Sequence, residues 1–362
     1  MGLSIAWGLV RAGRDVRLVD PAPATGATYA AAGMITPVSE HRPTERALHA
    51  LAQESAADYP AFLEAIPGGG GCGFEAASTL LVAVDDADRH AIDELAALRP
   101  GEVESLTLRE ARRLEPLLGP RATAVRRVQE HRVDPRNLAA ALLAALGDRV
   151  VRGAVRSILH EDPNDPMSPA IGVRIDDGVI TAREVIVASG LDAARVEGMP
   201  FPVTLRPVHG DILRLRVPGR LWPLLNCTLR ARVHGSSVYL LPRADGTVVV
   251  GATQREHGGA SVSAGGVYEL LRDATAVVPA VAELELLEAT ARARPTTLDN
   301  APLLGRAAPG LIIATGFGRH GVMLAPIAAA SVAALVDGVA PPHIAPFRPD
   351  RFAASPVPLE VS

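Results

Sequence analysis

Cysteine, aromatic residues, long apolar runs and excess positive charge are all scarce in this chain. Two cysteines, Cys72 and Cys227, stand in 362 residues. Two thiols make neither a disulfide framework nor a metal site, and each reads as a small buried or loop residue rather than a nucleophile. Aromatic residues are 3% of the chain, so each Tyr and Trp is worth noting. No apolar run reaches the roughly 18 residues of a membrane helix, and no secretory signal is expected. The 36 basic residues, all of them Arg, stand against 40 Asp and Glu, a net charge of −4. That balance gives no basic surface for nucleic acid. The ten His form neither H-E-x-x-H nor a Cys/His cluster, so no metal is expected. What is present is 48% hydrophobic residues, enough for a large core and two domains. A soluble, cytoplasmic, acidic α/β protein is the expectation, with no nucleic-acid or membrane partner. Homo-oligomer formation is left open.

The first twenty residues, MGLSIAWGLVRAGRDVRLVD, carry the sharpest pattern. Gly2 starts an amphipathic helix with Leu3, Ile5, Ala6, Leu9 and Val10 on its apolar side. Gly13 ends it, and Val16, Leu18 and Val19 read as a short buried strand closed by Asp20. A helix followed by a strand ending in an acid is the second half of a dinucleotide-binding βαβ unit. Gly2 matches only the last glycine of G-x-G-x-x-G, so the first strand and the two phosphate-facing glycines are expected upstream of Met1. An ordinary α/β start, with Asp20 as a turn residue beside Pro21, fits this stretch as well.

Further along, the small residues of Tyr29–Met34 permit close backbone approach to a ligand or to another element. Pro43 to Ile66 predicts a long helix with Leu48, Leu51, Phe62 and Ile66 as core residues. PGGGGCG at 67–73 reads as a flexible connector, and it lacks the Lys-Ser/Thr of a P-loop. Thr79 to Val84 predicts a strand. Thr107 and Glu110 form a capping-box pair for a helix through Leu114. Asp134 fits an N-cap and Pro135 a first helical position for a helix ending near Gly147. Val150 to Val155 predicts a strand, and Asp177-Gly178 a hairpin turn. Glu184 to Gly190 reads as a buried strand running into a glycine turn. From about residue 201 the pattern becomes antiparallel. Arg206–Val217 is a long strand, and Val238–Leu241 and Thr247–Gly251 form a hairpin. A helix is predicted at Ala264–Val277 and a strand at Leu286–Arg294. Leu311–Gly316 and Gly321–Val336 repeat the opening theme of strand, glycine turn and helix. The chain after Gly338 reads as a Pro-rich surface tail.

In this order the motifs resemble one family. They are Gly2-Leu-Ser-Ile-Ala-Trp with Val19-Asp20, Ala31-Ala-Gly-Met-Ile-Thr-Pro37, and Glu54-Ser with Tyr59-Pro-Ala-Phe62. Next come Val133-Asp-Pro-Arg136, Pro207-Val-His-Gly210, Tyr239-Leu-Leu-Pro-Arg243 and Val249-Val-Gly-Ala-Thr253. The last are Arg294-Pro295, Asp299-Asn-Ala-Pro302, Gly316-Phe-Gly-Arg-His-Gly321 and Ala325-Pro326. The chain is similar to the FAD-dependent amine and amino-acid oxidases of the D-amino-acid oxidase superfamily. It most resembles the bacterial glycine-oxidase branch, which serves thiamine biosynthesis.

The resemblance implies an α/β (α+β) fold: a Rossmann-like FAD-binding domain, lacking its first strand in this chain, and an antiparallel-sheet substrate domain. Residues 1–40, 131–200 and 301–340 would form the first, 41–130 and 201–300 mainly the second, and 341–362 the tail. It implies FAD pyrophosphate at the helix N-terminus of Gly2 and the adenosine ribose at Asp20. Val155 would lie along the adenine, with Gly190 nearby. The turns holding Ala32, Gly33 and Met34 and Gly316, Gly318, Arg319, His320 and Gly321 would face the isoalloxazine. The helix N-terminus near His320, Val322 and Met323 would stabilise negative charge on the reduced flavin. Arg294 matches the carboxylate-binding arginine, Tyr239 a pocket tyrosine donating to the same carboxylate, and Arg319 a residue touching substrate or flavin. Without that context, an Arg before Pro at a strand end is usually a solvated surface residue. No dedicated catalytic base is implied, and His209 reads as structural. Three departures bear on substrate choice and flavin contacts: Thr296 stands for a usual glycine, Phe317-Gly318 for His and an aromatic, and His320 for a common Asn.

The implied reaction is oxidation of glycine or another small amino acid to the imine and then the 2-oxo acid, glyoxylate. Oxygen would be reduced to hydrogen peroxide, and the product would feed thiazole-synthesis proteins. Two other readings stand beside it. One is a D-amino-acid, sarcosine or proline oxidase, or a dehydrogenase passing electrons to another acceptor. The other is a chain that, from Met1, does not hold FAD.

Overall fold

The computed structural model describes residues 1–256 and 259–353. Its largest core is helical. Helix Gly2–Arg11 buries Leu3, Ile5, Ala6 and Leu9, and Gly13 turns out of it at φ +74°. Gly8 lies against Ala329, where a Cβ would come within 3.2 Å of the alanine methyl. A residue without a side chain thus lets helices Gly2–Arg11 and Ala325–Val336 pack at close range. Helix Arg46–Glu64 contributes Leu48, Leu51, Tyr59 and Leu63 to the same core, and its Tyr59 hydroxyl donates to the Val322 carbonyl at 3.0 Å. Helix Pro135–Leu146 is started by Asp134, whose carboxylate accepts from the N–H of Arg136 (2.8 Å) and Asn137 (3.2 Å). The Thr107–Glu110 capping box is present on helix Leu108–Leu114.

The strands beside this helical core form separate fragments. Leu18–Val19 pairs in parallel with Val150–Val151. Val185–Val187 pairs in parallel with Leu311–Thr315, which pairs antiparallel with Leu303–Ala308. Among the described residues no strand joins the two fragments. The single strand expected over 150–155 is two, Val150–Val151 and Val155–His160, with the chain leaving extended pairing around Gly153. The second joins Ala170–Ile175 and Gly178–Thr181 in an antiparallel sheet; the expected hairpin is present, but it turns through Asp176-Asp177 and Gly178 is already paired with Ile175.

The other half of the molecule is a nine-stranded sheet. From one edge it runs Glu285–Thr296, Arg206–Arg216, Thr247–Gly251, Ser236–Pro242 and Thr228–Val233. It continues through Glu75–Ala83, Ala124–Arg132 and Met34–Ile35, with Val103–Leu106 added to Ala124–Arg132. It is not wholly antiparallel, as the sequence pattern suggests. Thr228–Val233 and Glu75–Ala83 run parallel, because a strand from a distant part of the chain closes onto the end of the meander. Helix Ala264–Val277 covers one face, burying Leu270, Ala274 and Val277 against Leu213, Leu215, Leu240 and Val248.

Three local expectations are corrected. The 67–73 connector is an ordered turn with Cys72 fully buried, and the Cys72 carbonyl accepts from the Asp134 N–H at 2.7 Å. The last helix begins at Ala325 rather than Gly321, because Pro326 fits only a first turn. The presumed tail docks as far as it is described. Ile344 and Phe347 enter the helical core, and Arg351 binds Asp299 and the carbonyls of Ala301 and Pro302. Residues 354–362 lie outside the described residues. Among the described residues no helix is long and apolar enough to cross a membrane.

Candidate active site

Between the helical half and the nine-stranded sheet lies one continuous cavity of about 2330 Å³. Its sheet wall is organised by register. Ile212 stands beside Gly251, Gly251 beside Tyr239, Tyr239 beside Arg230, and Arg230 beside Leu81. Adjacent residues in register point to the same face, so this row lies along the cavity wall. Glycine clears space at two points of that wall. A Cβ on Gly251 would run into the Tyr239 ring and hydroxyl, and one on Gly210 into the Arg294 guanidinium. Each polar side chain therefore lies flat over the glycine of a neighbouring strand.

The electrostatics follow from which guanidinium groups are paired. The chain has no lysine, so every cation here is an arginine. Arg294 carries a buried Nη1 without a hydrogen-bond partner, and its side chain makes no ion pair among the described residues. Tyr239 likewise donates its hydroxyl to no described residue, and burial pushes its phenol up to about 12, so it is a neutral donor. Arg230, in register with Tyr239, is held by Glu40 at 2.8 Å. Glu40 also meets Arg319 Nε at 3.4 Å, and Arg319 reaches Glu45 at 2.5 Å. Burial opposes charge on Glu40, but Arg230, His320 and Arg319 outweigh it and pull its carboxyl down to about 2. His320 Nδ1 lies 3.3 Å from Glu40 without hydrogen-bond alignment. Its pKa falls to about 3, because burial and the neighbouring arginines outweigh Glu40, so the ring is neutral.

Such an arrangement offers a carboxylate a guanidinium with a buried, unpartnered Nη1 and a neutral phenol hydroxyl on one wall. An unpaired buried donor costs free energy until a ligand acceptor satisfies it.

A model of the FAD dependent oxidoreductase family matches residues 1–335. The chain belongs to this family. Glycine oxidase of Geobacillus kaustophilus is 30% identical over 355 residues, covering 93% of this chain and 90% of that one. Its crystal structure superposes with a TM-score of 0.86 at 28% identity, over 97% of this chain and 95% of that one. The iminodiacetate oxidase of Chelativorans sp. BNC1 superposes at 0.82 with 28% identity, covering 96% of each chain. The bifunctional protein ThiO/ThiG of Nostoc is 35% identical over 168 residues, covering 46% of this chain. This chain spans about a quarter of the length of that relative.

FAD is therefore the cofactor of this fold, and the cavity wall fits it. The N–H groups of Gly2, Leu3 and Ser4 open helix Gly2–Arg11 without a side-chain cap or an acidic residue in the first turn. That is a donor set for a phosphate anion. Asp20, at the end of its strand, lies on the same cavity with Val155 and Gly190. Ala32, Gly33 and Met34 line it too. Gly33, at φ +80°, is pressed so closely on the Val133 carbonyl and Pro135 that no side chain fits. The Ala32 carbonyl is anchored by Arg243, which also donates to Val133 O at 2.7 Å.

Gly318, Arg319, Gly321 and Val322 line the cavity, whereas Gly316, His320 and Met323 do not. Gly316 is a tight turn, φ +72°, with Thr297 and Leu205 where a Cβ would stand. His320 and Met323 face a small separate pocket behind the wall, with His41, Leu48, His49 and Ala52. The helix-terminus expectation at His320 to Met323 is displaced with them, since the helix starts at Ala325. His209 pairs its backbone with Arg255 in both directions and leaves Nδ1 without a partner.

Sequence reading missed Glu40, Glu45, Arg230 and the spacing roles of Gly210 and Gly251. For Arg230 one signal was legible. In Thr-Leu-Arg-Ala-Arg-Val, arginine alternates with small and apolar residues, which places Arg230 and Arg232 on one strand face.

Proposed function

We propose that this chain oxidises the Cα–N bond of a small amino acid, with glycine and sarcosine as its preferred substrates. The carrying observation is Arg294, a guanidinium with a buried, unpartnered Nη1 beside a free phenol hydroxyl. Arg294 holds the substrate carboxylate and Tyr239 donates a second hydrogen bond to it, fixing Cα relative to the wall. Gly210 and Gly251 clear the space in which both side chains lie flat against the wall. The helix Gly2–Arg11 N-terminus, Asp20 and the Ala31–Met34 turn hold the cofactor end of the cavity. Bound FAD supplies the two-electron acceptor chemistry that the side chains lack. No acid or base is assigned to the sheet wall, where Tyr239 is neutral and Glu40 is committed to arginines. Overall, glycine, water and oxygen give glyoxylate, ammonia and hydrogen peroxide. The similarity to ThiO/ThiG supports a link to thiazole synthesis.

Oxygen uptake and peroxide formation by the flavin-loaded protein, with glycine, sarcosine, proline and D-alanine, test this reading. Turnover of glycine or sarcosine that collapses in Arg294→Ala is expected. Turnover that survives Arg294→Ala, or oxidation of none of the four, overturns it.

A further inference from the structure

Two arginines flank Tyr239 on the sheet wall, and they are in opposite states. Arg294 has no carboxylate partner, whereas Arg230 is ion-paired with Glu40 at 2.8 Å. Arg319, across the same cavity, is committed to Glu40 and Glu45. Of these three guanidinium groups, Arg230 and Arg319 are engaged by Glu40 and Glu45, and Arg294 is the one without a carboxylate. Of the other cations on the cavity wall near this point, Arg42 and Arg232 are exposed, and the half-buried Arg292 donates to the carbonyls of Thr25 and Ala291. Glu40 is well placed to keep Arg230 engaged. Its loop is pinned by Ser39, whose N–H and hydroxyl both donate to Glu130 at 2.8 and 2.9 Å.

We propose that Glu40 sets the charge of the substrate this site accepts: by occupying Arg230 it confines the cavity to monocarboxylates and rejects a second carboxylate. This inference rests on the assignment of Arg294 to the first carboxylate. A dicarboxylate amine such as iminodiacetate brings its second charge toward the wall where Glu40 already satisfies Arg230. It then meets a buried negative charge rather than a free guanidinium, and like charges in a desolvated site repel strongly. Removing the Glu40 charge exposes Arg230 as a second anion site about one strand spacing from Tyr239.

The test uses the flavin-loaded protein and two readouts. Calorimetric titration with acetate and malonate, which are not amines, reports anion selectivity without turnover. Oxygen uptake with sarcosine and iminodiacetate reports substrate selectivity. Wild type is expected to favour acetate and sarcosine by at least about tenfold. Glu40→Gln is expected to shift both ratios at least about tenfold toward the dicarboxylates, and Glu40→Gln/Arg230→Gln to lose that gain. A wild type that binds malonate as tightly as acetate overturns the proposal, and does so whether or not the variants fold. A folded Glu40→Gln with unchanged ratios overturns it as well. Anion ratios that shift as expected while neither amine is oxidised support the Glu40 role and defeat the proposed oxidase function instead.

Discussion

The two ends of the cavity are built by opposite means. At the helix Gly2–Arg11 end the closest part of the wall is backbone and small residues, Gly2, Ala31, Ala32, Gly33, Ala188 and Gly190, with the Asp20 carboxylate beside them. The supporting strands there are two to six residues long. At the sheet end the wall is long side chains, Arg230, Tyr239 and Arg294, standing on strands of six to twelve residues. A backbone site works only where side chains are missing, so its specificity comes from close approach and helix polarity. A side-chain site works only where a rigid register holds each rotamer, and the in-register strands provide that rigidity.

That contrast can be broken experimentally. The largest effect is expected from Arg294→Ala. Losing the two charge-assisted hydrogen bonds proposed to the substrate carboxylate, about 3–4 kcal/mol together, should lower kcat/KM for glycine roughly 100- to 1000-fold. Cofactor content should be unchanged by absorbance, and loss of flavin instead would show that the two ends are not independent. Next is Gly251→Ala. The added methyl displaces the Tyr239 ring, and KM for glycine should rise about tenfold or more while the fold persists. Tyr239→Phe removes one neutral hydrogen bond without moving the ring, so about a tenfold loss in kcat/KM is expected from steady-state kinetics. A Gly251→Ala effect smaller than that of Tyr239→Phe would mean the ring has room to adjust.

At the backbone end, Gly8→Val wedges helix Gly2–Arg11 off Ala329. Denaturant unfolding should show a loss of roughly 1–3 kcal/mol, and flavin retention should fall before anion binding does. The smallest effect concerns pH. His320 is held neutral by burial, with its pKa lowered from 6.5 to about 3, so the unfolded chain binds its proton first. Stability is then full above pH 6.5 and declines as pH falls toward 3. Glu40, lowered from 4.5 to about 2, adds to the decline below pH 4.5. His320→Asn should flatten the dependence of Tm on pH between 6.5 and 4.5, in part only, because His41 is also lowered, to about 4. An unchanged slope would mean that His320 is not the group that titrates.

Legibility from the sequence differed between the two ends as well. The opening helix, its Gly13 exit and the short strand to Asp20 were readable, because each depends on neighbours a few residues away. The Asp134-Pro135 cap, the Thr107–Glu110 box and helix Ala264–Val277 were readable for the same reason. Arg294 and Tyr239 were picked out by flanking motifs, but their free donors were not. The pairing of Glu40 with Arg230 was invisible, since nothing local in Ser39-Glu40-His41 points to a residue 190 positions away. The small pocket that takes His320 and Met323 off the main cavity was equally hidden.

The sequence by itself determined the caps, turns, alternating strands and apolar helix faces, all of which follow from backbone chemistry and periodicity over a few residues. Only the tertiary structure decided which charges are spent on each other. The parallel contact of Glu75–Ala83 with Thr228–Val233 depends on packing summed over distant segments. So do the docking of Phe347 in the helical core and the absence of a carboxylate partner at Arg294 among the described residues.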